Sequence, residues 1–209
     1  MTLPTVVNNA RNKQLEAGLK RSYSLIAQAL DRYQAETGER LTNKNVSTHQ
    51  LKSMIMKYFE VAQDCGMGFV SATLNTKGCV TNNVTSGVQG PKTYKTYNGL
   101  ADMYFGYFND GQFVLKDGSL ILIENGNDVG KILFISVDVN GFNKNPNRLG
   151  QDLFMFQIDD KGKLLPMGVN GTTYYQLWSC YKNSTNPLNG AGCTYKALNE
   201  KDYFKNLPK

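Results

Sequence analysis

Over the first forty positions apolar residues return at intervals of three and four: Leu15, Leu19, Ser22, Ile26, Ala29 and Tyr33, widened by Ala27 and Leu30. That spacing predicts one amphipathic helix over 5–37 with a buried stripe. Leu15, Leu19, Ile26 and Tyr33 are expected to pack it, while Arg11, Lys13, Glu16, Lys20, Arg21 and Asp31 lie largely on its other faces. Pro4 stands where a first-turn proline is tolerated, and Gly38 supplies the stop as the residue just past the helix end. A second helix is expected over 48–62, THQLKSMIMKYFEVA, with Thr48 as N-cap and Leu51, Ile55, Tyr58, Phe59 and Ala62 at helical spacing. The stretch 64–92 is loose and polar and reads as a long loop. From about 94 the period changes. Short apolar or aromatic runs, among them MYFGYF, LILIE, FISV and LFMF, are separated by NDG, KDG, ENGND, VNG and DDKG. These predict strands joined by tight turns over 94–170, antiparallel because the links are short. A closing region, 171–209, carries a last short helix around 197–205. The fold class is α+β: a long N-terminal helix laid across an antiparallel sheet, as one domain over 1–209.

Composition narrows the partners. Hydrophobic residues make up 41% and charged residues 19%, with twelve Tyr, ten Phe and twenty Gly; this polar, loop-rich profile is common outside the cell. The net charge of +6 is spread out, with no run denser than Lys20-Arg21, so the concentrated basic patch of a nucleic-acid binder is not expected. Four cysteines, Cys65, Cys79, Cys180 and Cys193, allow three connectivities. Pairing of near neighbours is the least costly, each closed loop worth about 3 kcal/mol in the chain-entropy account. Disulfides imply an oxidising compartment. The start, MTLPTVVNNARNK, lacks the apolar core of a signal peptide, so the reading expects an export or anchoring segment ahead of it.

Catalytic chemistry finds little footing. The chain has one histidine, His49, expected as a surface or cap residue, and no nucleophile-elbow, zinc-protease, phosphate-loop or dinucleotide pattern. The acidic pairs Asp159-Asp160 and Glu124 near Asp128 fall in hairpin turns and are expected to be solvated. The tyrosines and tryptophan at 94, 97, 104, 107, 174, 175 and 178 could supply a binding patch, although some must be core. The most distinctive stretch is DVNGFNKNPNRLGQD, residues 138–152. Asp138, Asn140 and Asp152, helped by Asn143, Asn145 and Asn147 and by carbonyls near Gly141, offer the oxygens calcium wants, without the terminal glutamate of an EF-hand. The competing reading is a structural turn, because Asn and Asp bond their own backbone and tolerate left-handed conformations.

Three stretches carry a resemblance. LPTVVNNARNKQLEAGLKRSYSLIAQAL (3–30), DVNGFNKNPNRLGQDLFMF followed by GKLLPMG, and the late NGAGCTYKALNE resemble type IV pilins and type II secretion pseudopilins, minor subunits in particular. Leu3-Pro4 matches the end of the family's apolar half-helix. The cleavage motif, the glutamate that follows it and the hydrophobic spine of that family have no counterpart in this sequence; the resemblance implies prepilin-type N-terminal methylation in the family. The resemblance implies a non-enzymatic filament subunit of the bacterial cell envelope, held in the inner membrane by an apolar segment and facing outward with this domain. It also implies other pilin or pseudopilin subunits as partners, and Cys193 as second member of a C-terminal disulfide. The rival expectations are a secreted or surface adhesin that recognises glycan or protein, and a secreted hydrolase.

Overall fold

The computed structural model describes residues 3–68, 70–71, 78–82, 94–126 and 132–209. The first helix, α1, runs Leu3–Thr37 and ends where Gly38 takes a left-handed φ of 79° and donates its amide to the Gln34 carbonyl. Its stripe is the expected one. Leu15, Leu19 and Ile26 are at most 2% exposed, while Tyr33 is half-buried and meets Tyr58 edge-on at 6.2 Å. A short helix, α2 (Leu51–Ile55), passes into a single 3-10 turn, Met56–Tyr58. Among the described residues eight strands follow: β1 (Val61–Asp64), β2 (Val70–Ser71), β3 (Thr81–Asn82), β4 (Gln112–Leu115), β5 (Leu120–Glu124), β6 (Phe134–Asp138), β7 (Leu153–Ile158) and β8 (Leu164–Pro166). A 3-10 turn at Leu177–Cys180, the helix α3 (Cys193–Asn199) and a 3-10 turn at Tyr203–Lys205 complete the chain.

Six strands form one antiparallel sheet in the order β1-β4-β5-β6-β7-β8, and β2 pairs with β3 in parallel. Alternation along the strands divides the core in two. Phe113, Ile121, Ile123, Ile135, Val137, Phe154 and Phe156 face α1, joining Leu15, Leu19 and Ile26, with Tyr23 stacked on Phe156 at 5.4 Å. Val114, Leu120, Leu122, Phe134, Leu153 and Met155 face the other way, toward Tyr94, Met103, Phe108, Met167 and Tyr174. An antiparallel sheet commonly leaves one face wet. Here both are covered, which is why LILIE, FISV and LFMF read as continuous rather than alternating runs. The disulfides join Cys65 to Cys79 and Cys180 to Cys193.

Three expectations are corrected. The helix expected over 48–62 stops at Tyr58, because Val61–Asp64 pairs with β4 instead; strand pairing with a distant partner outweighs local period. MYFGYF is not a strand: residues 103–108 are irregular, and Met103 and Phe108 are buried against the sheet face opposite α1. The last helix lies at Cys193–Asn199 and meets the expected 197–205 only in its final three residues; the rest of that range holds the final 3-10 turn, Tyr203–Lys205. The expected loop 64–92 lies partly outside the described residues.

Leu19 is fully buried between α1 and the sheet. Leu19→Ala is therefore expected to cost about 2–5 kcal/mol, read as a lower urea midpoint at unchanged slope.

Candidate functional site

The stretch singled out in the sequence connects β6 to β7. Asp138, the last residue of β6, is fully buried. Its Oδ1 accepts the amides of Asn140 at 3.2 Å and Gly141 at 2.9 Å, an aspartate turn that folds the chain back on itself. Its Oδ2 accepts the hydroxyl of Tyr94. Asp152, also fully buried, holds the other end: Oδ2 accepts the Asn147 amide and Oδ1 the Arg148 amide, both at 2.7 Å. Asn140 and Asn147 close the middle through their Nδ2 groups, which donate to the carbonyls of Asn145 at 3.1 Å and Phe142 at 3.0 Å. Asn147 has a left-handed φ of 50°, which asparagine tolerates.

The loop also faces outward and gathers distant segments. Lys95 donates its amide to Asn147 O, and Leu149 returns one to Lys95 O, both at 2.9 Å. Gln151 Nε2 donates to the Tyr97 carbonyl at 2.8 Å and the Pro208 carbonyl at 3.0 Å. The Tyr203 hydroxyl donates to Gly150 O at 2.5 Å. Gly150 is required here: its φ is 80°, and a Cβ would stand 2.8 Å from that of Cys193, so the second disulfide packs directly on this loop.

Burial raises the Asp138 carboxyl to about 6. Burial first, and then the charge of Asp138, raise Asp152 well above the usual carboxylate range. Burial, with the Asp138 charge, likewise holds the Tyr94 hydroxyl protonated far above its ordinary range, which keeps it a donor to Asp138.

The structure brings Asp138, Asn140 and Asp152 into one loop, as a calcium site would need, but it spends the carboxylates differently. Every carboxylate oxygen already accepts at least one hydrogen from the chain. The buried oxygens left without a donor are Asn140 Oδ1 and Asn147 Oδ1. Calcium takes six to eight oxygens, and among the described residues no group of three or more His, Cys, Asp or Glu could hold a metal ion. These bonds fit the structural turn.

The other candidates lie elsewhere. Asp159 organises its own hairpin, accepting the amides of Lys161 and Lys163. Glu124 is corrected: it is not a solvated turn residue but is 6% exposed at the end of β5, and Asp128 lies outside the described residues. His49 is exposed, with Nε2 3.3 Å from Asp110 Oδ1, and neither it nor Thr48 caps α2. That cap is Asn125, whose Oδ1 accepts the amides of Gln50 and Leu51. The bond from Tyr94, named only as a patch or core aromatic, and the cap from Asn125 were missed because their partners lie 44 and about 75 residues away. Of the aromatics, Tyr94, Tyr97 and Tyr174 are buried, and Tyr104 and Tyr175 are exposed.

Comparison with protein-family models, curated proteins and solved structures finds no match to this chain. Among the described residues, no helix is long and apolar enough to cross a membrane.

Two outcomes check the turn. Calcium added to chelator-treated protein is expected to leave the melting temperature unchanged and a titration without heat; a rise in melting temperature would place a cation in the loop. Asp152→Ala strips acceptors from two loop amides and is expected to destabilise by roughly 2–5 kcal/mol in chemical denaturation.

Proposed function

We propose that this chain is the outward-facing domain of a subunit of a bacterial cell-envelope filament, of the type IV pilus or type II secretion kind, with a structural and non-enzymatic role. The observation that carries the reading is the reach of α1. The helix has 35 residues, roughly 52 Å at 1.5 Å per residue. Among its described side chains, however, the fully buried ones begin only at Leu15, and residues 8–11 are exposed. A helix draws most of its stability from packing, so a stretch, residues 8–14, that fully buries no side chain within its own domain suits contacts from outside it. Other pilin or pseudopilin subunits would supply those contacts, and the inner membrane would be reached through the apolar segment that the resemblance implies. The two disulfides support an oxidising compartment, and the helix-on-sheet architecture supports the resemblance.

One observation favours a second reading, an adhesive surface. Tyr104, Tyr175 and Leu177 are 51%, 54% and 70% exposed, on segments that cover the sheet face opposite α1. Exposed apolar groups gathered this way mark interaction surfaces.

Cysteines placed at Asn9 and Arg11 in the protein's natural context test the first reading. Oxidative cross-linking in cells is expected to give ladders that contain pilin-like subunits, whereas monomer alone would contradict it. Tyr104→Ser combined with Tyr175→Ser is expected to leave those ladders intact.

A further inference from the structure

A second acidic pair, buried Glu124 and partly buried Asp110, lies where β5 ends. Glu124 stands opposite Phe134 across the β5–β6 ladder, and Phe134 packs against the rings of Tyr107 and Tyr174 at 6.1 and 6.2 Å. Glu124 Oε1 accepts the Gly126 amide at 3.0 Å, while Oε2 is buried without a donor. The carboxyl of Asp110 lies beside that of Glu124. A Cβ on Gly126 would stand 2.7 Å from Glu124 Oε1 and 3.3 Å from Asp110 Oδ2, so both groups crowd one backbone position. Two carboxylates in contact repel when both are ionised. A single proton on Glu124 removes that repulsion and turns the unpaired acceptor into a donor toward Asp110.

Asp110 connects this pair to a helix. Its Oδ2 accepts the Asn125 amide at 2.7 Å. Asn125 in turn accepts three amides: its backbone carbonyl takes that of His49, and its Oδ1 takes those of Gln50 and Leu51, all at 3.0 Å. The start of α2 is thus fastened by a residue that the acidic pair itself fastens.

We propose that Asp110 and Glu124 form a proton-operated latch on the N-terminus of α2, closed while the pair holds one proton. When that proton passes to solvent, the two carboxylates repel, Asn125 is released, and the amides it caps open to water.

Among the described residues, the groups that face the pair come from several neighbouring elements. His49 Nε2 approaches Asp110 from the segment before α2. Tyr107 and Tyr174 lie over the sheet face, where Glu124 acts on the Tyr174 hydroxyl. Lys44 lines a cavity of about 270 Å³ with Asn125 and Gly126. The one charged residue of α2, Lys52, is directed elsewhere, to Asp64 and the Gly66 carbonyl.

Burial first, then the Asp110 charge, raise Glu124 to about 8. A glutamate in the unfolded chain titrates near about 4.3, so the folded protein holds the extra proton between those values. The stabilisation is complete below the lower value and is lost as the pH rises through about 8.

Amide hydrogen exchange of Gln50 and Leu51, corrected for intrinsic rates, tests the latch. Protection of both amides is expected to fall about tenfold between roughly pH 7 and pH 9. Glu124→Gln, which donates to Asp110 at every pH, is expected to abolish the fall. An unchanged fall in Glu124→Gln, or none in the unaltered protein, would overturn the proposal. Carbon-detected titration of the Glu124 carboxyl in the unaltered protein serves if the variant does not fold: a midpoint in the ordinary glutamate range would also overturn it.

Discussion

Two buried carboxylates, Asp138 and Asp152, hold the amides of one irregular loop, and three distant segments are assembled against that loop. A buried amide left without an acceptor costs about 1–3 kcal/mol, and the loop presents four amides to these two side chains, two of them in fully buried bonds. Once they are satisfied, the loop becomes a template. Residues 95–97 pair along it, Tyr203 and Pro208 close on it, and the Cys180–Cys193 disulfide lies against Gly150. The cysteine bridge and the polar loop are therefore one construction, although 41 residues separate Asp152 from Cys193 along the chain.

That construction allows the sheet to be buried on both faces. One face receives α1 through Leu15, Leu19 and Ile26. The other receives the aromatic segments that the loop and the second disulfide hold in place. The two faces differ in what they leave at the surface. On the α1 side, residues 8–11 of the helix are exposed and its fully buried side chains begin at Leu15. The segments on the opposite side leave Tyr104, Tyr175 and Leu177 exposed.

Local pattern made much of this legible. Residues three and four apart on α1 share one face whatever surrounds them, so Leu15, Leu19 and Ile26 announced their burial, and Gly38 announced the stop. Strands β5, β6 and β7 showed as apolar runs between turn residues, and the Asn-rich loop showed as either turn or cation site. What stayed hidden was set by partners far away in sequence. Val61–Asp64 carries a helical period until β4 claims it. MYFGYF looks like a strand until its aromatics become the cover of a sheet. Nothing near Asn125 shows that it caps a helix some 75 residues earlier, and nothing near Glu124 shows that the turn buries it. In the candidate loop the residues were identifiable, but the division of their oxygens between chain and ligand was not, because that depends on Tyr94.

The Tyr94–Asp138 bond is where the loop and the segment covering the sheet meet. A double-mutant cycle between Tyr94→Phe and Asp138→Asn, measured by chemical denaturation, tests the template account most directly. A coupling of about 1–3 kcal/mol is expected for a buried hydrogen bond to a charged group. Additive losses, with no coupling, would show that the loop and its cover are stabilised independently and would contradict the account.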